Sequence, residues 1–258
     1  MNRIDQPFLS KKNILNIYFT AGFPKLGDTI RIAMELERAG ADMIEIGLPF
    51  SDPIADGPTI QGSSDTAISN GMTLNLLFGQ LKELRAHVKI PVVLMGYLNP
   101  ILQYGFQKFC ADCKSTGIDG LILPDLPMYE YKSVYKTVMD KKGLYNIFLV
   151  TPQTSVERIM EIDEFTNGFI YLVSSLSITG TKSGISEKQI EYFSRIKHMN
   201  LKNKILIGFG ISDNRTFTKA CQYSDGSIIG SAFIKQLKRD ASNRGIHEFV
   251  KNIKTPQA

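Results

Sequence analysis

Cysteine, histidine and long apolar runs are all scarce in this chain, and each scarcity closes off a class of function. There are three cysteines, Cys110, Cys113 and Cys221. An odd, low count fits a reducing cytoplasm better than a disulfide-built scaffold. Cys110-x-x-Cys113 has the spacing of a redox or zinc pair, but a structural zinc site needs four ligands and there is no second pair. The surrounding FQKFCADCKSTG has helical spacing, which puts both thiols on one apolar stripe and predicts core packing. The three histidines, His87, His198 and His247, fall in or near helical segments, so a His-based metal site has no support and no metal is expected. No apolar run approaches the roughly 18 residues of a membrane span. The N-terminus has no continuous signal-peptide core. A cytoplasmic protein with no membrane partner is expected. Thirty basic and 25 acidic residues leave a net charge of +5, spread along the chain. Without aromatic–basic interleaving, no nucleic-acid role is expected.

What the chain has in quantity is short β-rich apolar runs. They are ILNIYFT (14–20), DMIEIG (42–47), PVVLMGY (91–97), GLILPD (120–125), YNIFLV (145–150), FIYLVS (169–174), KILIGFG (204–210) and GSIIGSA (226–232). Runs with so few polar residues must be covered on both faces, which means parallel pairing. Most are followed by a longer stretch with helical spacing, such as DTIRIAMELERAG, TLNLLFGQLKELRAHV, EYKSVYKTVMDKKG and AFIKQLKRDASNRGIHEFVKNI, and several of these stretches close on Gly. Eight β–α alternations without a low-complexity linker predict a single-domain (β/α)8 TIM barrel over residues 1–258, with an extra helix over 58–70 after the second strand. The rival is an open doubly wound sheet. It is disfavoured because the turn after the first strand, TAGFPKLGD, lacks G-x-G-x-x-G.

Chemistry in such a barrel sits at the C-terminal ends of the strands. Tyr18, Glu45, Tyr97, Asp125, Tyr171, Phe209 and Gly210 fall there, with Asp52 and Asp56 in the second βα loop. No lysine lies near the C-terminal end of a run. Lys204 opens the seventh at the opposite end, so Schiff-base chemistry is disfavoured. Acid–base work is left to carboxylates. Glu45, between Ile44 and Ile46, either pairs with a buried base or gains proton affinity by desolvation at the mouth and shuttles a proton. Asp56, ahead of Gly57-Pro58, is on one reading a helix cap, and Asp52 before Pro53 is on one reading turn chemistry. GFGIS (208–212) and GSA (230–232) end the last two strands and open helices. Glycine admits a ligand to the backbone and helix N-termini present free N–H groups, which together favour phosphate.

The ordered set EIGLPFSDPIADGPTIQ, GLILPDLP, TPQTS, YLVSSLSITG, GFGIS and GSA runs nearly end to end and resembles the tryptophan synthase alpha subunit family. The resemblance implies a barrel that cleaves indole-3-glycerol phosphate to indole and glyceraldehyde 3-phosphate. It implies that Glu45 is the acid–base group at indole C3 and at the glycerol hydroxyl, and that Asp56 accepts from the indole N–H. Tyr18, Met95, Tyr97, Tyr171 and Thr179 would then meet substrate. Gly180, Phe209, Gly210, Gly230 and Ser231 would hold phosphate, and Asp125 would contact the mobile loops. Pro49, Asp52 and Pro53 resemble the family's contact surface for the beta subunit in an alpha–beta–beta–alpha complex. No cofactor is implied for this chain, pyridoxal phosphate being expected only in the beta partner. Ser175 and Ser177 depart from the Arg and Gly of many members. A regulatory subunit that mainly activates a beta partner is a rival reading, which Glu45 and Asp56 argue against. Another phosphate-handling barrel isomerase is a second, which PFSDPIADG argues against.

Overall fold

The computed structural model describes residues 1–53, 56–173, 185–208 and 210–255. Thr179, Gly180 and Phe209, with Ser175 and Ser177, lie outside the described residues. Nine strands are present among those described: β1 (Ile14–Thr20), β2 (Met43–Gly47), β3 (Val92–Met95), β4 (Gly120–Ile122), β5 (Tyr145–Ile147), β6 (Leu149–Val150), β7 (Phe169–Val173), β8 (Lys204–Gly208) and β9 (Gly226–Ile229). Every pairing is parallel, in the order β5-β4-β3-β2-β1-β9-β8-β7-β6.

The two ends of that order are consecutive in sequence, and this closes the barrel. The expected fifth strand is broken at Phe148. Its first half pairs back to β4 through Ile122 and Ile147, and its second half pairs on to β7 through Leu149 and Tyr171. The Tyr171 N–H donates to the Phe148 carbonyl at 3.0 Å. One kinked strand thus serves both edges, and no edge is left unpaired. All residues of β1, β2, β3 and β7 are buried, as strands packed on both faces require.

The helices cover the outside. In Asp28–Ala39 the buried Ile32, Ala33 and Leu36 form one apolar stripe, and the helix stops at Gly40. The extra helix after β2 runs Pro58–Ser69. Several expected helices are shorter than their periodic stretches. TLNLLFGQLKELRAHV forms Leu74–Leu81 and Leu84–His87. EYKSVYKTVMDKKG passes through a wide π turn at Tyr131–Tyr135 before Lys136–Lys142. The C-terminal stretch breaks because Asp240 accepts from the Ser242 N–H at 2.9 Å, and Ser242 then caps a new helix, Asn243–Lys254, by accepting from the Gly245 N–H at 3.1 Å.

Aspartates tie the floor of the barrel, at the N-terminal ends of the strands. Asp42, just before β2, accepts from the Leu15 N–H of β1 at 3.0 Å and pairs with Lys11 at 2.6 Å and Lys254 at 2.8 Å. Asp119, just before β4, accepts from the Val92 N–H of β3 at 2.8 Å and pairs with Arg85 at 2.6 Å. Asp225, just before β9, accepts from the Ile205 N–H of β8 at 2.9 Å. Each bond locks a β–α–β unit at the end away from the mouth. Among the described residues no helix is long and apolar enough to cross a membrane.

Candidate active site

Glu45 is the middle residue of β2, in register with Tyr18 of β1 and Val93 of β3. It is fully buried. Its charge is felt by Tyr171 of β7, which lies across the ring from β2, so the carboxylate points into the barrel. The Asn16 side-chain N–H donates to Oε2 at 3.1 Å. Oε1 has no hydrogen-bond partner among the described residues, and neither does Oδ1 of Asn16. Among the described residues no cation meets this carboxylate, and an amide holds it instead. Burial drives the Glu45 carboxyl up to about 8, the Asn16 bond pulls it down, and the nearby Asp56 adds to the rise.

Asp56 is also buried. The Tyr97 hydroxyl donates to its Oδ2 at 3.3 Å. Burial raises the Asp56 carboxyl to about 6 against the pull of that bond. The helix that follows starts from Gly57, and among the described hydrogen bonds the Asp56 carboxylate meets Tyr97 and no N–H of that helix. The two carboxylates thus have different proton affinities in one apolar chamber.

Tyrosines form the walls. Tyr18 shares a face of β1 with Asn16 and Thr20, as period-two alternation demands. Its hydroxyl lies 3.4 Å from Thr20 Oγ1, and Thr20 lies 2.6 Å from Ser63 Oγ in the extra helix. Burial foremost, then Asp56, drives the Tyr18 hydroxyl far above its ordinary range. Burial and Glu45 do the same to Tyr171. Both rings lie where a side chain would otherwise stand: a Cβ at Gly47 would run into Tyr18, and one at Gly208 into Tyr171. Met95 ends β3 opposite Gly47 and so shares the inward face of Glu45. Tyr97 and Asp125 lie beyond the ends of β3 and β4, where pairing has stopped. Tyr97 precedes the helix Leu98–Tyr104 and stacks on Phe50 with ring centres 5.2 Å apart. Asp125 accepts from the Leu98 N–H at that helix's start, at 2.9 Å.

Gly230 and Ser231 open the nine-residue helix Ser231–Arg239, and Gly210 follows β8. Gly210 and Ser231 are exposed. On the other side, Pro49, Phe50, Asp52, Leu74, Pro100 and Tyr104 line a groove of about 770 Å³ beside the carboxylates rather than over them. Pro49 is half-buried and Asp52 exposed, but Pro53 is buried. The Pro53 carbonyl accepts from the Asp56 N–H at 3.0 Å, and Gln61 donates to the Asp56 carbonyl at 2.8 Å.

Sequence reasoning missed Asn16, Thr20 and Ser63, and the two glycines that make room for the tyrosines. The first two were signalled by polar residues at 16 and 20, in step with Tyr18, inside an otherwise apolar run. Ser63 and the two glycines carried no such mark.

A closed ring of parallel strands with two buried carboxylates inside it is the arrangement of a (β/α)8-barrel enzyme. The chain belongs to the tryptophan synthase alpha chain family, whose sequence pattern matches residues 7–257. It is 58% identical to the tryptophan synthase alpha chain of Flavobacterium psychrophilum, over 98% of this chain and 100% of the relative. The solved tryptophan synthase alpha chain of Legionella pneumophila is 32% identical and superposes with a TM-score of 0.88, covering 98% of this chain and 96% of that one. A chain of tryptophan synthase from M. tuberculosis is 27% identical, with a TM-score of 0.86 and 98% of each chain covered.

Proposed function

We propose that the chain cleaves indole-3-glycerol phosphate to indole and glyceraldehyde 3-phosphate by a retro-aldol step. The observation that carries this reading is the pair of buried carboxylates, Glu45 raised to about 8 and Asp56 to about 6. Glu45 starts protonated and gives its proton to C3 of the indole. The ring becomes cationic, and its N–H donates to the Asp56 carboxylate. The Glu45 carboxylate then takes the glycerol hydroxyl proton. The oxygen's electrons form the aldehyde carbonyl, the carbon–carbon bond breaks, and its electron pair returns to the ring as indole. Glu45 is restored, so the cycle needs no net proton.

Tyr18, Met95, Tyr97 and Tyr171 enclose the indole in this reading. Gly210, Gly230 and Ser231, with Gly180 and Phe209, take the phosphate through backbone N–H groups, as helix N-termini favour anions. Thr179 adds a further substrate contact. The partner is a beta subunit carrying pyridoxal phosphate, which joins indole to serine, and it docks on the groove at Pro49 and Asp52.

Indole release by the purified chain tests the proposal. Glu45→Gln keeps the shape and loses the proton, so cleavage should fall by at least about a hundredfold with substrate binding largely kept. Asp56→Asn should also impair turnover. Near-normal turnover by Glu45→Gln would rule out the acid–base role.

A further inference from the structure

The mechanism above uses one carboxylate as acid and then as base, and it leaves open which oxygen works and what holds the other. We infer that Asn16 is a positioning residue: its amide grips Oε2 of Glu45 from the layer below and leaves Oε1 as the oxygen that exchanges protons with substrate. This rests on the reading of Glu45 just proposed.

Geometry carries the inference. Asn16 stands two residues before Tyr18 on the same inward face of β1, and Tyr18 is in register with Glu45. Asn16 therefore lies one layer deeper than Glu45, on the floor side of the chamber. It is fully buried, and the two residues that follow it on the same face, Tyr18 and Thr20, have a visible use. A buried amide in an apolar barrel carries a desolvation cost, and its one described bond is the 3.1 Å donation to Glu45. The bond fixes the carboxylate plane through one oxygen. The other, Oε1, is the buried oxygen without a partner among the described residues.

The same bond bears on proton affinity. An amide N–H bonds a carboxylate more strongly than a carboxylic acid. The contact therefore tightens as Glu45 hands its proton to C3 and relaxes when the hydroxyl proton arrives. The groups facing Glu45 from the other elements are Tyr18 of β1, Tyr171 of β7 and Asp56 after β2. Asp56 pushes Glu45 towards its neutral form, and burial pushes in the same direction, while the Asn16 bond favours the charged form. Asn16 thereby keeps Glu45 a strong enough acid to protonate carbon.

The test is a ¹³C NMR titration of carboxyl-labelled glutamate in wild type and Asn16→Leu, a change that keeps the branched shape and removes the donor. The Glu45 signal is assigned by its absence in Glu45→Gln. Glu45 should titrate higher in Asn16→Leu by about one pH unit. The high-pH limb of indole release should move up with it, and kcat should fall about tenfold with KM nearly unchanged. A residue that merely fills space would lower folding yield without moving either titration. If Asn16→Leu does not fold, Asn16→Ala removes the same donor and should give the same shift. An unmoved Glu45 titration in a folded variant overturns the inference, as does a moved titration with an unmoved rate profile. A moved titration in a chain whose wild type releases no indole would instead overturn the lyase reading and leave the Asn16–Glu45 coupling standing.

Discussion

At the scale of single residues, the site is built against its own stability. The Glu45 carboxyl sits at about 8, against an ordinary 4.5, so the folded chain keeps a proton that the unfolded chain releases. The stability tied to Glu45 is therefore full below the ordinary value and is lost as pH rises through the folded one. Asp56 acts in the same direction over a lower window, from 3.8 to about 6. Glu45→Gln cannot ionise and escapes this loss. In urea titrations it should exceed wild type by at least about 1 kcal/mol near pH 8, with a smaller margin near pH 5. Identical pH dependence in the two proteins would mean that Glu45 is not the group responsible. The variant expected to lose catalysis is thus also the one expected to gain stability.

At the scale of elements, the two ends of the barrel do different work. The floor is held by aspartates that clamp an N–H near the start of one strand from the start of the next, and the mouth carries the proposed site. Asp119 is nearly buried at 4% exposure and satisfies both Val92 N–H and Arg85. Asp119→Ala leaves the buried Val92 N–H without its acceptor and breaks the ion pair with Arg85, which keeps its bonds to the Gly117, Val88 and Ile90 carbonyls, and should cost about 3 kcal/mol in denaturant unfolding. Asp225→Ala removes a carboxylate that is 36% exposed and should cost about 1 kcal/mol. Equal losses would show that burial does not set the strength of these clamps. At the mouth, the helix Ser231–Arg239 begins at Gly230, just after β9, and Gly210 follows the neighbouring β8. Sulfate or a phosphate-ended analogue should shift the amide signals of Gly210 and Ser231 in NMR titration and spare those at the floor. Shifts confined to the floor would count against the phosphate site.

At the scale of the whole molecule, the groove and the chamber share one short loop. Pro49 and Asp52 face outward while Pro53 is buried, and the Pro53 carbonyl holds the Asp56 N–H at 3.0 Å. A partner pressing on the outer residues would reach Asp56 through a single hydrogen bond, without a long relay. With the proposed beta subunit added, the chain should cleave at least about tenfold faster. Asp52→Arg should bring the ratio of rates with and without the partner towards one. A ratio unchanged by this substitution would place the coupling surface elsewhere.

Much of this was legible in the linear sequence, for local reasons. Strand and helix periods are properties of neighbouring residues, so eight β–α units and their approximate bounds could be read, as could the position of Glu45 on an apolar strand. The run PFSDPIADGPTIQ carried Asp56 and its loop in the same way. What depended on tertiary structure was everything set by residues distant in the chain. Closure at Phe148 depends on β4 and β7 meeting opposite halves of one strand, which splits a run that reads as continuous. Pro53 is buried although it lies in a loop rich in turn residues, because the fold sets Asp56 and Gln61 against it. Asn16 and Glu45 are 29 residues apart. Either alone is a polar residue in an apolar strand, and only parallel pairing of β1 with β2 brings the amide beneath the carboxylate and makes the two one proton-handling group.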